Sequence, residues 1–189
     1  MHPEITRIHL NLYRQAGYSL LELVLVVLVL GILAAVMIPN LSSGNETALE
    51  LAARQYAEAI RFARSESMRQ AELFAFKVRT DQDFIKVKTV DTSTSPWSMV
   101  WNVHHPLRKT LYKIDLKAQA ATRNISTGIV SRFHGNCTAG NKIYFNRFGQ
   151  AFCLDPDDIR VISYEIRLSL NGQKRSVLLD GQTGRVTVR

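Results

Sequence analysis

Between Ser19 and Ile38 the chain runs for about twenty residues with a single charge, Glu22, and no other stretch limits its architecture as tightly. At helical rise such a run is roughly 30 Å long, the thickness of a bilayer core. It reads as a membrane-spanning helix. A lone carboxylate in such a helix costs about 2.5 to 3.5 kcal/mol at mid-bilayer and less towards the interface, so Glu22 requires a cationic partner. Arg7 and Arg14 precede the run while Glu46 and Glu50 follow it. By the positive-inside tendency this places the N-terminus in the cytoplasm and the rest of the chain outside.

With 189 residues, 46% of them hydrophobic and 21% charged, there is room for this anchor and one globular domain of ordinary size. The formal charge of +8 lies almost entirely after residue 17. A basic exported domain suits nucleic acid, lipid headgroups or an acidic protein, and charge alone does not choose among them. Outside the cytoplasm Cys137 and Cys153 can oxidise to each other, and without a CxxC pair a structural disulfide is a better reading than redox or metal chemistry. It would close a loop of about sixteen residues, worth about 3 kcal/mol in the chain-entropy account.

Beyond Pro39, the segment Leu41 to Asn45 is a place where the helix loosens or restarts, since glycine and short polar residues weaken it and Ser43 with Glu46 has capping-box spacing. Leu49, Ala52, Ala53, Tyr56, Ala59, Ile60 and Ala63 then form a helical stripe, with Arg54, Glu58, Arg61, Arg64 and Arg69 mostly off it. From Leu73 the period changes to two. Phe74, Phe76 and Val78, then Ile85, Val87 and Thr89, predict a hairpin across Thr80 to Asp83, and Trp97 to Val103 a further strand. Leu111 to Leu116, Ile125 to Phe133, Lys142 to Phe145 and Ala151 to Leu154 carry strand signals as well. At the end Ile162, Tyr164, Ile166, Leu168 and Leu170 alternate inward, Asn171-Gly172 turns the chain, and Val186 and Val188 point inward while Arg185, Thr187 and Arg189 point out. The pattern is α+β with an antiparallel, β-rich head.

The N-terminal stretch resembles the type IV pilins and the pseudopilins of type II secretion. A short basic leader ends in Gly17, Tyr18 follows, Glu22 is the fifth residue counted from that aromatic, and the apolar run ends at Pro39. The resemblance implies a cut after Gly17 by a prepilin peptidase, methylation of the Tyr18 amine, and assembly of the helix into a filament. There Glu22 would pair with a neighbouring subunit's amino group. Tyr18 departs mildly from the usual phenylalanine. The alternative, an ordinary signal anchor, fits less well because a secretory signal is cut after its apolar region. The resemblance divides the chain into a leader (1–17), a transmembrane helix (18–39), an amphipathic helix (40–72) and a β-rich periplasmic head (73–189), held in the bacterial inner membrane before assembly with other pilins or pseudopilins. The turn Phe145-Asn146-Arg147-Phe148-Gly149 and the tail Thr183-Gly184-Arg185-Val186 look like those of the GspH/FimT branch, the minor pilins and minor pseudopilins.

No catalytic motif, phosphate-cradling loop or cofactor signature is present in the sequence, and an enzyme is not expected. His104 and His105 are neighbours that a strand would point to opposite faces, and Asp155, Asp157 and Asp158 lack a glycine-turned loop for calcium, so neither group is expected to hold a metal. FimT-like pilins that serve DNA uptake carry a Gly-Arg-x-Arg tail. Here Gly184-Arg185-Val186-Thr187 has threonine in place of the second arginine. Arg185 and Arg189, with Lys174, Arg175 or Arg167, remain candidates for DNA binding as an alternative to a purely structural subunit.

Overall fold

The computed structural model describes residues 19–94, 97–154 and 159–189, leaving aside the side chains of 34–43. Gly17 and Tyr18 lie outside the described residues, and so does the Asp155 to Asp158 cluster. The chain divides into two compact units, Met1–Leu41 and Ser42–Arg189. A single helix, α1 (Leu20–Gln70), is assigned across Pro39 and across Leu41 to Asn45. The expected loosening there does not interrupt it: one helical glycine, Gly44, costs only about 1 kcal/mol against alanine.

In the second unit α1 carries Leu49, Ala52, Ala53, Tyr56, Ala57, Ala59, Ile60, Ala63 and Ser67 on its buried face. Five of these are alanines. Small side chains let backbone approach backbone, so the helix seats closely on two antiparallel sheets whose inner faces join it in one core. The helix ends at Ala71, which takes a left-handed φ of 57°, the conformation that closes many helix C-termini.

The first sheet contains β1 (Phe74–Arg79), β2 (Phe84–Asp91), β3 (Ser98–Val100), β4 (Lys113–Asp115), β6 (Lys142–Phe145) and β7 (Ala151–Cys153). Its order is β3-β2-β1-β6-β7. Strands β3 and β4 share the free edge of β2, one at each end. The strand expected over Trp97 to Val103 is confined to three residues, β3, and the one over Leu111 to Leu116 to β4. Asp83, with φ of 49°, turns β1 into β2 and is buried, its Oδ1 accepting from the Thr127 amide at 2.7 Å and its Oδ2 3.2 Å from Lys117 Nζ. Phe74, Phe76 and Val78 face the helix, whereas Ala75 joins Tyr144 and Phe152 in a smaller apolar cluster on the far face, flanked by Trp97, Met99 and Leu154.

The second sheet has the order β10-β9-β8-β5, from β5 (Ser126–Phe133), β8 (Val161–Leu170), β9 (Gln173–Asp180) and β10 (Val186–Val188). Asn171 and Gly172 both adopt positive φ, 49° and 83°, giving the two-residue turn expected of that dipeptide. Tyr164, Ile166, Leu168 and Leu170 are buried as the alternation predicts. Ile162 is not. The register slips between Arg132 and Phe133, which pair with Ser163 and Val161, so Ile162 is passed over. The bulge reverses the alternation, burying Val161 and leaving Ile162 exposed.

Cys137, in the loop between β5 and β6, is bonded to Cys153 on β7. The bond ties that loop to the strand pair, since Cys153 sits opposite Ile143 of β6.

Candidate functional site

Glu22 lies in the first turn of α1, and its amide donates to the Ser19 carbonyl at 2.9 Å. Around it the described apolar side chains are open on every side of the helix: Leu20, Leu21 and Leu23 are exposed by 83%, 72% and 60%, and exposure continues through Leu33. A helix apolar all round is stable only when something other than water surrounds it. Among the described residues no helix is long and apolar enough to cross a membrane, the side chains of 34–43 in the same run being among those left aside. None of the described ion pairs includes Glu22.

The four basic residues singled out near the C-terminus divide between two faces of the second sheet. Arg185 and Arg189 flank β10 and line one shallow cleft with Leu178, Asp180, Thr183 and Thr187. Lys174 falls on that outer side by the alternation of β9. Arg175, next in sequence, belongs to the opposite side, where its guanidinium meets Glu46 at 2.7 Å and Glu50 at 3.5 Å on α1. It fastens the sheet to the helix. The outer side is not uniformly basic, because Glu165 holds Arg167 at 3.1 Å and accepts from Ser176 at 2.7 Å. These contacts, the Arg167 bond foremost, keep the Glu165 carboxyl below its usual range, with Arg189 adding to the effect. The neighbouring Asp180 carboxyl is also lowered, chiefly by the Thr183 amide and hydroxyl.

Both turn motifs of the head meet α1 at Arg64. Its Nε donates to the Gly149 carbonyl at 3.1 Å and its Nη2 to the Thr183 carbonyl at 2.9 Å. One turn earlier Arg61 donates to the Val186 carbonyl at 2.9 Å, and one turn later the Ser67 hydroxyl bonds the Phe145 carbonyl at 2.7 Å. The two glycines are needed for this approach. A Cβ on Gly184, where φ is 67°, would stand 2.4 Å from the Gly149 carbonyl oxygen and from Arg64 Nε; one on Gly149 would stand 2.8 Å from Met68 Sδ.

The histidine pair is placed by its loop. His104 bridges to Leu111, and the His105 ring packs on Tyr112 while its Nδ1 accepts from the amides of Leu107 and Arg108. Among the described residues no cluster of three metal-ligating side chains occurs.

Residues 12–38 match the family described as the prokaryotic N-terminal methylation motif. Among solved structures the head is similar to EpsH, the minor pseudopilin of the Type 2 Secretion System of Vibrio cholerae, with a TM-score of 0.50 over 75% of this chain and 95% of that one at 10% identity. The chain has the type IV pilin fold. The Pseudomonas aeruginosa type IV minor pilin FimU also matches, at 16% identity over 76% of this chain and 90% of that one with a TM-score of 0.48. No curated protein matches the chain significantly.

In this pilin-like chain the matched motif contains Gly17, Tyr18 and Glu22, and it reaches to Ile38, one residue short of Pro39. The helix contacts that the sequence pattern does not reveal are those of Arg61 and Arg64, which lie mostly off the apolar stripe. Their i, i+3 spacing with Ser67 was the available signal: three hydrogen-bonding side chains on one line of a helix meet a row of carbonyls.

Proposed function

We propose that the chain is a minor pilin or pseudopilin, a structural subunit of a type IV pilus or a type II secretion pseudopilus. The observation that carries this reading is the methylation motif set on a helix whose apolar side chains are exposed all round from Leu20 to Leu33. Such a helix is at rest in a bilayer and, after extraction, in a bundle with other subunits. Prepilin peptidase would cut after Gly17 at the inner membrane, freeing the Tyr18 amine for methylation. Glu22 then sets register, because pairing with a neighbour's terminal amine removes an otherwise unpaired charge in an apolar bundle. Pro39 removes one helical hydrogen bond at the far end of the run.

The alternative, DNA uptake through the tail, rests on Arg185 and Arg189. Their face carries Glu165 and Asp180 among the cations, and Arg175 is engaged with α1, so the structural reading is favoured.

Glu22→Ala tests the assembly step. The variant should insert and be processed as the native chain is, yet be lost from sheared filaments or pseudopili when these are blotted for the subunit. Normal incorporation defeats the register argument. A bulky replacement of Gly17 should leave an unprocessed precursor, visible as a slower band; efficient cutting of that variant contradicts the assigned cleavage position.

A further inference from the structure

The far face of the first sheet, away from α1, carries lysines in lateral register. Lys77 on β1 is paired with Lys142 on β6 and with Lys86 on β2, and Lys86 is paired in turn with Lys113 on β4. Four adjacent strands thus present Lys142, Lys77, Lys86 and Lys113 in one row, about 14 Å long at three spacings of roughly 4.8 Å. Lys88 stands in the next row, opposite Ala75. Like charges directly opposite one another on a sheet are destabilising, so the row works against the fold that displays it. Only Lys113 has a described ion-pair partner, Asp115 at 2.6 Å. Burial first, and neighbouring ammoniums after it, hold Lys77, Lys86 and Lys88 below the usual lysine range.

Beside the row lies a cleft of about 340 Å3 lined by Lys77, Lys88 and Lys142 together with Trp97, Met99 and Leu154. Trp97 is half-buried, set edge-on to Tyr144 with ring centroids 5.8 Å apart. A second tryptophan, Trp101, has Lys86 Nζ 3.6 Å over its ring. Lysine is depleted from protein–protein interfaces. A line of cations beside an aromatic platform is instead the arrangement that holds single-stranded nucleic acid, phosphates on the ammoniums and a base against the ring.

We propose that this lysine row with Trp97 is a binding surface for single-stranded nucleic acid, separate from the C-terminal arginines. A duplex keeps its bases paired and offers Trp97 nothing to stack on. The row spans room for a short run of phosphates, and its affinity comes mainly from counterion release. The inference does not rest on the assembly reading: a subunit that fails to enter filaments would still bind.

The test uses the full chain in detergent micelles with a fluorescein-labelled oligothymidylate of about 12 nucleotides, a length within the range that one compact domain occupies. Anisotropy is followed across a salt series. Saturable binding is expected, and Lys77→Gln with Lys142→Gln should weaken it at least tenfold and make the log–log salt slope shallower by about 1.4. Trp97→Leu should weaken it about fivefold or more at unchanged slope. Arg185→Ala with Arg189→Ala should leave it unchanged. The lysine variants should keep a thermal midpoint no lower than the native chain's, which separates lost binding from lost folding. Absence of saturable binding overturns the proposal, and so does native-like binding by the folded lysine variants. Equal or tighter binding of a duplex of the same length overturns it too, and poly-glutamate binding as tightly as the oligonucleotide would assign the row to an acidic protein instead.

Discussion

Gly184 is the residue where the head tolerates least change. It needs a left-handed backbone at φ 67°, and it also leaves space for the Gly149 carbonyl and Arg64 Nε at positions a methyl group would occupy. Alanine there adds about 1 to 2 kcal/mol of backbone strain to an overpacking cost of about 1 to 3 kcal/mol. Gly184→Ala should therefore lower stability by about 2 to 5 kcal/mol, read as a drop in urea midpoint at unchanged slope; Gly172→Ala, with open space around its Cβ, should cost less despite its φ of 83°. Equal losses at the two positions would remove the steric half of this account. The tail motif Thr183-Gly184-Arg185-Val186 is accordingly structural at its glycine and at two carbonyls, of Thr183 and Val186, that accept from the helix.

Among the elements, the β6–β7 pair is short, four and three residues against ten and eight in β8 and β9. The Cys137–Cys153 bond compensates for that shortness by closing a loop with a sequence separation of 16. Its reduction should cost about 3 kcal/mol, and native-state hydrogen exchange should report the loss first at the amides of β7 and the loop before β6, where β8 and β9 remain protected. Uniform loss of protection would mean that the bond braces the whole head and not this pair. Strand length also explains which elements were legible. β8 and β9 have enough residues for their alternation to show in the sequence. β3 and β4 have three each: the strand signals over Trp97 to Val103 and Leu111 to Leu116 run longer than the strands themselves, whose bounds are set by the edge of β2.

For the molecule as a whole, the formal charge of +8 and the lysine row act in the same direction, against compactness. Added salt shortens the reach of this repulsion to about 10 Å at 0.1 M and about 3 Å at 1 M. The thermal midpoint should rise with sodium chloride over that interval, and the rise should be smaller in the chain carrying Lys77→Gln and Lys142→Gln. A salt effect of equal size in both would place the repulsion elsewhere. The sequence by itself determined the properties that depend on neighbours along the chain: the apolar run with Glu22, the helical stripe from Leu49 to Ala63, the period-two strands and the Asn171-Gly172 turn. It also placed Lys77, Lys86 and Lys88 off the apolar positions of their strands. What joined Lys142 and Lys113 to them, sent Arg175 to α1, brought Arg64 to Gly149 and Thr183, and turned Ile162 outward was strand order, register and one bulge. Those are set by contacts between residues far apart in the chain, where the gain of packing must offset the entropy of closing long loops, and a local pattern holds no record of that balance.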